Sequence, residues 1–141
     1  MKLTFSSIND PGSIMFPIFE GRTCLPTNES GGSCTQGGYA SYAVNVSSVS
    51  QIQLLVVFAR ITNVRLVIKN TGHDYNGRST GAGALSIWTH HLKDIAFKHD
   101  YQSFGYRGPA MKIGAGVQGL EVYETADKYG VSVVGGICPV S

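Results

Sequence analysis

The chain has 141 residues, enough for one domain with its own core, and eighteen of them are glycine. Charged residues make up 14% and the net charge is +2 with no basic cluster, which argues against nucleic acid as the main partner. No apolar run approaches the roughly 18 residues that cross a membrane. The opening "MKLTFSSINDPGS" lacks the apolar core of a signal peptide.

Residues 1–38 read as a loop segment rich in proline and glycine. It carries Cys24 and Cys34, ten apart in a Gly/Ser/Pro/Thr-rich stretch that suits a disulfide staple. Two N-glycosylation triplets, at Asn28 and Asn45, also point to an exported protein. Residues 39–141 form the patterned part. "YASYAVNV", Tyr39 to Val46, is strand-prone. Ser48 and Gln51 form a capping box, and the helix behind it runs from Val49 to Thr62. Its residues Val49, Ile52, Leu55, Val56 and Ala59 repeat at three and four, so they predict one core face. Asn63 suits the left-handed position that ends a helix. "RLVIKN", Arg65 to Asn70, is a buried strand, and strand, helix, strand makes a βαβ unit.

Further on, "ALSIWTHHL" and "DIAFKHDY" read as a pair of strands, and "AMKIGAG" as another. A short helix from Leu120 to Tyr129 is stopped by Gly130, and "VSVVGG" reads as a final buried strand. These elements give an α/β or α+β class dominated by strands.

Two glycine patterns carry the chemistry. Gly72, Gly77, Arg78 and Ser79 match a phosphate loop except for Arg in place of Lys. After Ser79 the chain reads as a turn and then a strand, and a nucleotide-hydrolase loop needs a helix there. Gly114, Gly116 and Gly119 spell a dinucleotide fingerprint, yet no acid stands at the end of the next strand. A glycine-rich loop still brings backbone amides close to an anion. His73 alone reads as a solvated loop histidine, and Cys138 alone as a buried thiol. No pair of residues has the spacing of a metal site, and no nucleophile elbow is present.

The long stretch "RLVIKNTGHDYNGRSTGAGALSIWTHHLKDI" closely resembles the fungal FAD-linked oxidases of the berberine-bridge-enzyme type. These belong to the vanillyl-alcohol-oxidase, or PCMH-type, flavoproteins. "YAVNVSSVSQIQLLVVFAR", "KIGAGVQGLEVYE" and "VVGGICP" extend the resemblance from about Asp10 to Pro139. It implies an α+β PCMH-type FAD-binding domain: a βαβ lobe plus part of a second, mixed or antiparallel β lobe. It implies FAD as cofactor, attached covalently through His73 and, as in the doubly attached members of the family, through Cys138. Lys69, Asn70, Thr71, Gly72, Asp74 and Ser79 fall on the positions that cradle the pyrophosphate. Gly116 and Gly136 fall on turns that approach the cofactor. Arg78 fits either the loop or a structural ion pair, and Tyr75 and Trp88 read as packing residues.

By this resemblance the whole enzyme is secreted and passes a hydride from an alcohol, sugar or secondary-metabolite substrate to FAD. Electrons then go to O2, giving H2O2. No residue of the chain stands out as a catalytic base. Members of the family continue beyond the Cys-Pro, so the expectation is an N-terminal fragment, inactive alone. A truncated remnant without catalysis and a nucleotide-binding module without redox chemistry stay as the alternatives.

Overall fold

A computed structural model of the chain describes residues 8–14, 18, 21 and 35–140. The Cys24–Cys34 bridge and the sequon at Asn28 lie outside those residues. The described elements are β1 (Tyr42–Asn45), α1 (Val49–Thr62), β2 (Leu66–Lys69), β3 (Leu85–Trp88), β4 (Ile95–Ser103), β5 (Tyr106–Ile113) and α2 (Gly119–Lys128). The first three strands form a parallel sheet in the order β1-β3-β2, and β4 and β5 form an antiparallel ribbon. The mixed α+β class is therefore present, as a parallel lobe and an antiparallel ribbon.

β3 fills the centre, with every residue from 84 to 90 buried, as a parallel strand covered on both faces requires. Its place corrects two sequence expectations. The "ALSIWTHHL" strand pairs with β1 and β2 on either side, not with "DIAFKHDY". The latter, β4, pairs instead with β5. β1 and β2 are consequently not neighbours, and the βαβ crossover spans the central strand. Local alternation marks a strand but does not name its partner.

α1 has the bounds its pattern predicts. Ser48 is extended at φ −151° and caps it, and Asn63 closes it in the left-handed region at φ 52°. Gln51 reaches back to accept from the Ser47 amide at 2.7 Å, one residue ahead of the expected partner. A serine cap of this kind is worth about 1 kcal/mol. The core face is narrower than expected. Ile52, Leu55 and Ala59 turn inward, but Val49 and Val56 are exposed. Leu54, Val57, Phe58 and Ile61 on the other side are also exposed, leaving an apolar outer face.

α2 ends as predicted at Gly130, whose φ is +64°. Val131 N–H donates to Ala126 C=O and Gly130 N–H to Asp127 C=O, the two bonds of a Schellman stop. The residues beyond do not form the expected buried strand. Residues 131–136 pair with nothing in a sheet, and Val134 is fully exposed. An apolar run this short fits a core strand, but only where a neighbouring strand offers its edge.

Candidate functional site

Registry brings Asn45, Lys69 and Trp88 to the same carboxyl edge of the parallel sheet. Ligands of open α/β sheets bind beyond that edge, where the connecting loops gather. The loop at 71–79 leaves β2 there.

Lys69, the last residue of β2, is 1% exposed. Its Nζ donates to the Asp10 carbonyl at 2.7 Å and lies 5.8 Å from the Trp88 ring centroid. Burial pushes its pKa down, and the charge of Asp10 partly opposes that. Gly72 comes three residues later with φ +95°. A Cβ there would meet the Ser13 carbonyl at 3.0 Å and Lys69 Cε at 3.1 Å, so glycine is the residue that fits. Thr71 is buried and its Oγ1 lies 3.2 Å from His73 Nδ1, which orients the half-buried imidazole. Asp74 accepts from the Asn76 amide at 2.8 Å and from Arg78 Nε at 2.7 Å. The Arg78 bond is the main reason that its pKa lies below the usual carboxylate value. Arg78 is thus in the structural ion pair, one of its two expected settings. Gly77 turns the loop at φ +71°, and its N–H donates to Asp74 C=O. Ser79 is half-buried at the loop's far end. Trp88 packs in the core as expected, whereas Tyr75 is exposed.

The second glycine motif has a structural reason. A Cβ on Gly114 would stand 2.1 Å from the Leu92 carbonyl oxygen, and one on Gly116 would stand 2.2 Å from the His90 carbonyl oxygen. Both glycines let the turn press against the backbone after β3. Asn70 Nδ2 donates to the Ala115 carbonyl at 2.6 Å, tying this turn to the start of the phosphate-type loop. The turn then enters α2, where Glu121 accepts from the Gln118 amide at 2.7 Å and from Lys93 Nζ at 2.7 Å. Burial opposes ionisation of Glu121, but the Lys93 and Gln118 bonds outweigh it and its pKa is lowered.

Cys138 is half-buried on the segment that folds back along α2. Leu120 N–H donates to the Pro139 carbonyl at 2.9 Å. Gly136 has open space around it. The described structure thus gathers Lys69 to Ser79 in one loop and ties it to the Gly116 turn. Gly136 and Cys138 stand on a separate segment held by α2.

Sequence reasoning missed the strap at residues 8–14. Ile8 and Ile14 are buried, Asp10 makes the Lys69 bond, and Asn9 Oδ1 lies 3.1 Å from His90 Nε2. The readable signal was "INDPGSI", two isoleucines flanking an Asp-Pro-Gly turn; Asp10 Oδ1 accepts from Gly12 N–H at 2.7 Å. His90 was also missed. It is 4% exposed, stacked with Trp88 at 5.5 Å, and its Nδ1 has no hydrogen-bond partner. A hollow of about 740 Å³ between the start of α1 and the base of the ribbon is lined by Val49, Ile52 and Ile113 among others, and by none of the expected site residues.

The donor set suits a dinucleotide: a turned glycine loop, a buried ammonium beneath it and an oriented imidazole. No family model matches the chain. It is 46% identical over 136 residues to the VAO-type flavoprotein oxidase VAO615 of Thermothelomyces thermophilus, covering 96% of this chain and 24% of that protein. It is 52% identical over 127 residues to the FAD-linked oxidoreductase ZEB1 of Gibberella zeae, covering 90% of this chain and 22% of that one. The crystal structure of VAO-type flavoprotein MtVAO615 from Myceliophthora thermophila C1 superposes with a TM-score of 0.91 over 98% of this chain and 25% of that chain, at 46% identity. The structure of 6-hydroxy-D-nicotine oxidase from Arthrobacter nicotinovorans shares the fold at 23% identity and a TM-score of 0.58, over 69% of this chain and 20% of that one. The chain therefore spans about a quarter of the length of these curated relatives.

Proposed function

We propose that this chain, a homologue of about a quarter of the VAO-type flavoprotein oxidases and FAD-linked oxidoreductases, holds FAD for a flavin-dependent oxidoreductase. One observation carries the reading: the 71–79 loop rises from the carboxyl edge of the sheet with Gly72 directly over the buried Lys69 ammonium. In this role the loop amides and Lys69 face the diphosphate, a dianion that backbone N–H groups and a desolvated cation both favour. Asn70, Thr71, Asp74 and Ser79 hold the loop in shape, Gly116 gives the backbone its close turn against His90, and Gly136, with open space around it, leaves the cofactor room to approach. The cofactor supplies hydride acceptance from the substrate and electron transfer to dioxygen.

His73 and Cys138 act as covalent tethers. Bound FAD would be held by the imidazole nitrogen of His73 and the sulfur of Cys138, each in place of a hydrogen on the ring system, with dioxygen as the acceptor of the electron pair and the two protons set free. Thr71 orients the His73 ring for this bond. An attached imidazolium-like ring draws electron density from the flavin and makes it a stronger oxidant.

The partners of the whole protein are a small-molecule substrate of the alcohol, sugar or secondary-metabolite kind, and O2. Its setting is extracellular, a reading supported by the exposed Asn45 sequon. The 141 residues alone give no turnover, because they span about a quarter of the relatives' length and none of the residues assigned a role is a catalytic base. The test uses two preparations: the chain itself, and a chimera in which it replaces the matching quarter of VAO615. The chimera is expected to carry flavin that survives denaturation and the chain alone to show no oxidase activity. A chimera that folds yet stays colourless with added FAD would refute the reading.

A further inference from the structure

The carbonyls two residues before and two residues after Cys138 are each held by a side chain of the α2 entrance. Tyr123 Oη donates to the Gly136 carbonyl at 2.6 Å. Gln118 Nε2 donates to the Val140 carbonyl at 2.7 Å. The orientation of the Gln118 amide is set by its partners. Lys93 Nζ, which only donates, meets Oε1 at 3.2 Å, so the nitrogen faces Val140. Lys93 comes from the loop behind β3 and also bonds Glu121, so the clasp is anchored in the body of the lobe. Leu120 N–H takes the Pro139 carbonyl between them.

This stretch, 131–140, has no strand to hold it, and Val134, Ile137 and Gly136 bring little packing. A segment without ladder bonds or buried apolar side chains opens readily unless side chains pin it. Here the pins bracket the cysteine symmetrically. We propose that Gln118 and Tyr123 are positioning residues that fix the Cys138 thiol on the lobe for attachment to the flavin. The proposal rests on the function given above.

Two variants remove the donors. Gln118→Glu keeps an acceptor for Lys93 and has no N–H for Val140, while adding a carboxylate beside Glu121; Tyr123→Phe loses only the hydroxyl and is the variant free of that added charge. Alkylation of Cys138 by iodoacetamide, followed on its own peptide by mass spectrometry, is measured first in the 141-residue chain. Each variant is expected to react roughly fivefold faster and the double variant faster still, as expected when a held segment loses a hydrogen bond. Rates equal to wild type would overturn the proposal. In the VAO615 chimera, the flavin found on the Cys138 peptide is expected to fall several-fold while that on the His73 peptide is unchanged. Equal loss at both peptides means general structural damage and overturns the positioning role. Wild-type chimera with no flavin at Cys138 overturns the second tether itself, and the proposal with it; unaltered alkylation kinetics would overturn the clasp alone.

Discussion

Asn70 Nδ2 donates to the Ala115 carbonyl at 2.6 Å, and this single bond joins the loop that begins at Thr71 to the turn that opens α2. The backbone of Asn70 is also engaged: its carbonyl accepts from Trp88 Nε1 at 3.0 Å. Its Oδ1 is buried without a partner, so the side chain is held for what its nitrogen does. Asn70→Ala is expected to lower stability by about 1 kcal/mol through the lost bond. Urea unfolding of the chain reads that number, and an unchanged midpoint would show the tie to be dispensable.

The glycine motif at 114–119 divides in a way that substitution can measure. Gly114→Ala and Gly116→Ala place a Cβ about 2 Å from backbone oxygens that cannot swing away. Each should cost about 3 kcal/mol or prevent folding, at the upper end of overpacking penalties. Gly136→Ala meets nothing within 4 Å and should be nearly neutral. Thermal melts of the three variants rank them, and equal losses would deny the close approach.

Lys69→Met separates fold from ligand. Methionine fills the same space, removes a desolvated charge and gives up one bond to the Asp10 carbonyl. The fold is expected to lose about 1 kcal/mol or less. In a chimera that also carries His73→Ala and Cys138→Ala, so that FAD binds reversibly, affinity should drop at least roughly tenfold with Lys69→Met, the value of one charge-assisted bond. Fluorescence titration with FAD checks it; unchanged affinity would remove Lys69 from the diphosphate site.

His90 makes stability depend on pH. Burial, first, and then the charges of Lys93, His91 and Lys69 push its pKa below the ordinary histidine value, with Glu121 opposing. The unfolded chain therefore binds the proton more readily than the folded one. Stability is complete above the unfolded pKa of about 6.5 and falls as pH drops from there toward the folded pKa, with a slope of at most about 1.4 kcal/mol per unit for one proton. His90→Gln should flatten the profile between pH 7 and 5. An equal slope in the variant would place the sensitivity elsewhere.

Local structure was legible where a short signal decides it. Ser48 and Asn63 fixed the ends of α1, and Gly130 fixed the end of α2. Pairing was not, because β3 takes its partners from strands 43 and 19 residues away and nothing in its own alternation names them. The extent of the α1 core face was equally hidden: Val49 and Val56 carry the right period, but the chain brings no element to cover them. At the site, "GHDYNGRST" was legible as a tightly turned loop through Gly72 and Gly77, both of which take positive φ. The strap at Asn9 and Asp10 lies about 60 to 80 residues from Lys69 and His90, a distance that no spacing rule reaches. What demands glycine at 114 and 116, the carbonyls of Leu92 and His90, lies some twenty residues upstream and is not written in the motif itself.

The most direct measurement is the mass of the flavin-bearing peptides from the VAO615 chimera after denaturation and digestion. FAD-derived mass is expected on the peptide that contains His73, and it should be absent in His73→Ala. Flavin released completely by denaturation of the wild-type chimera, or carried only on a peptide without His73, would contradict the tether and the cofactor site built around it.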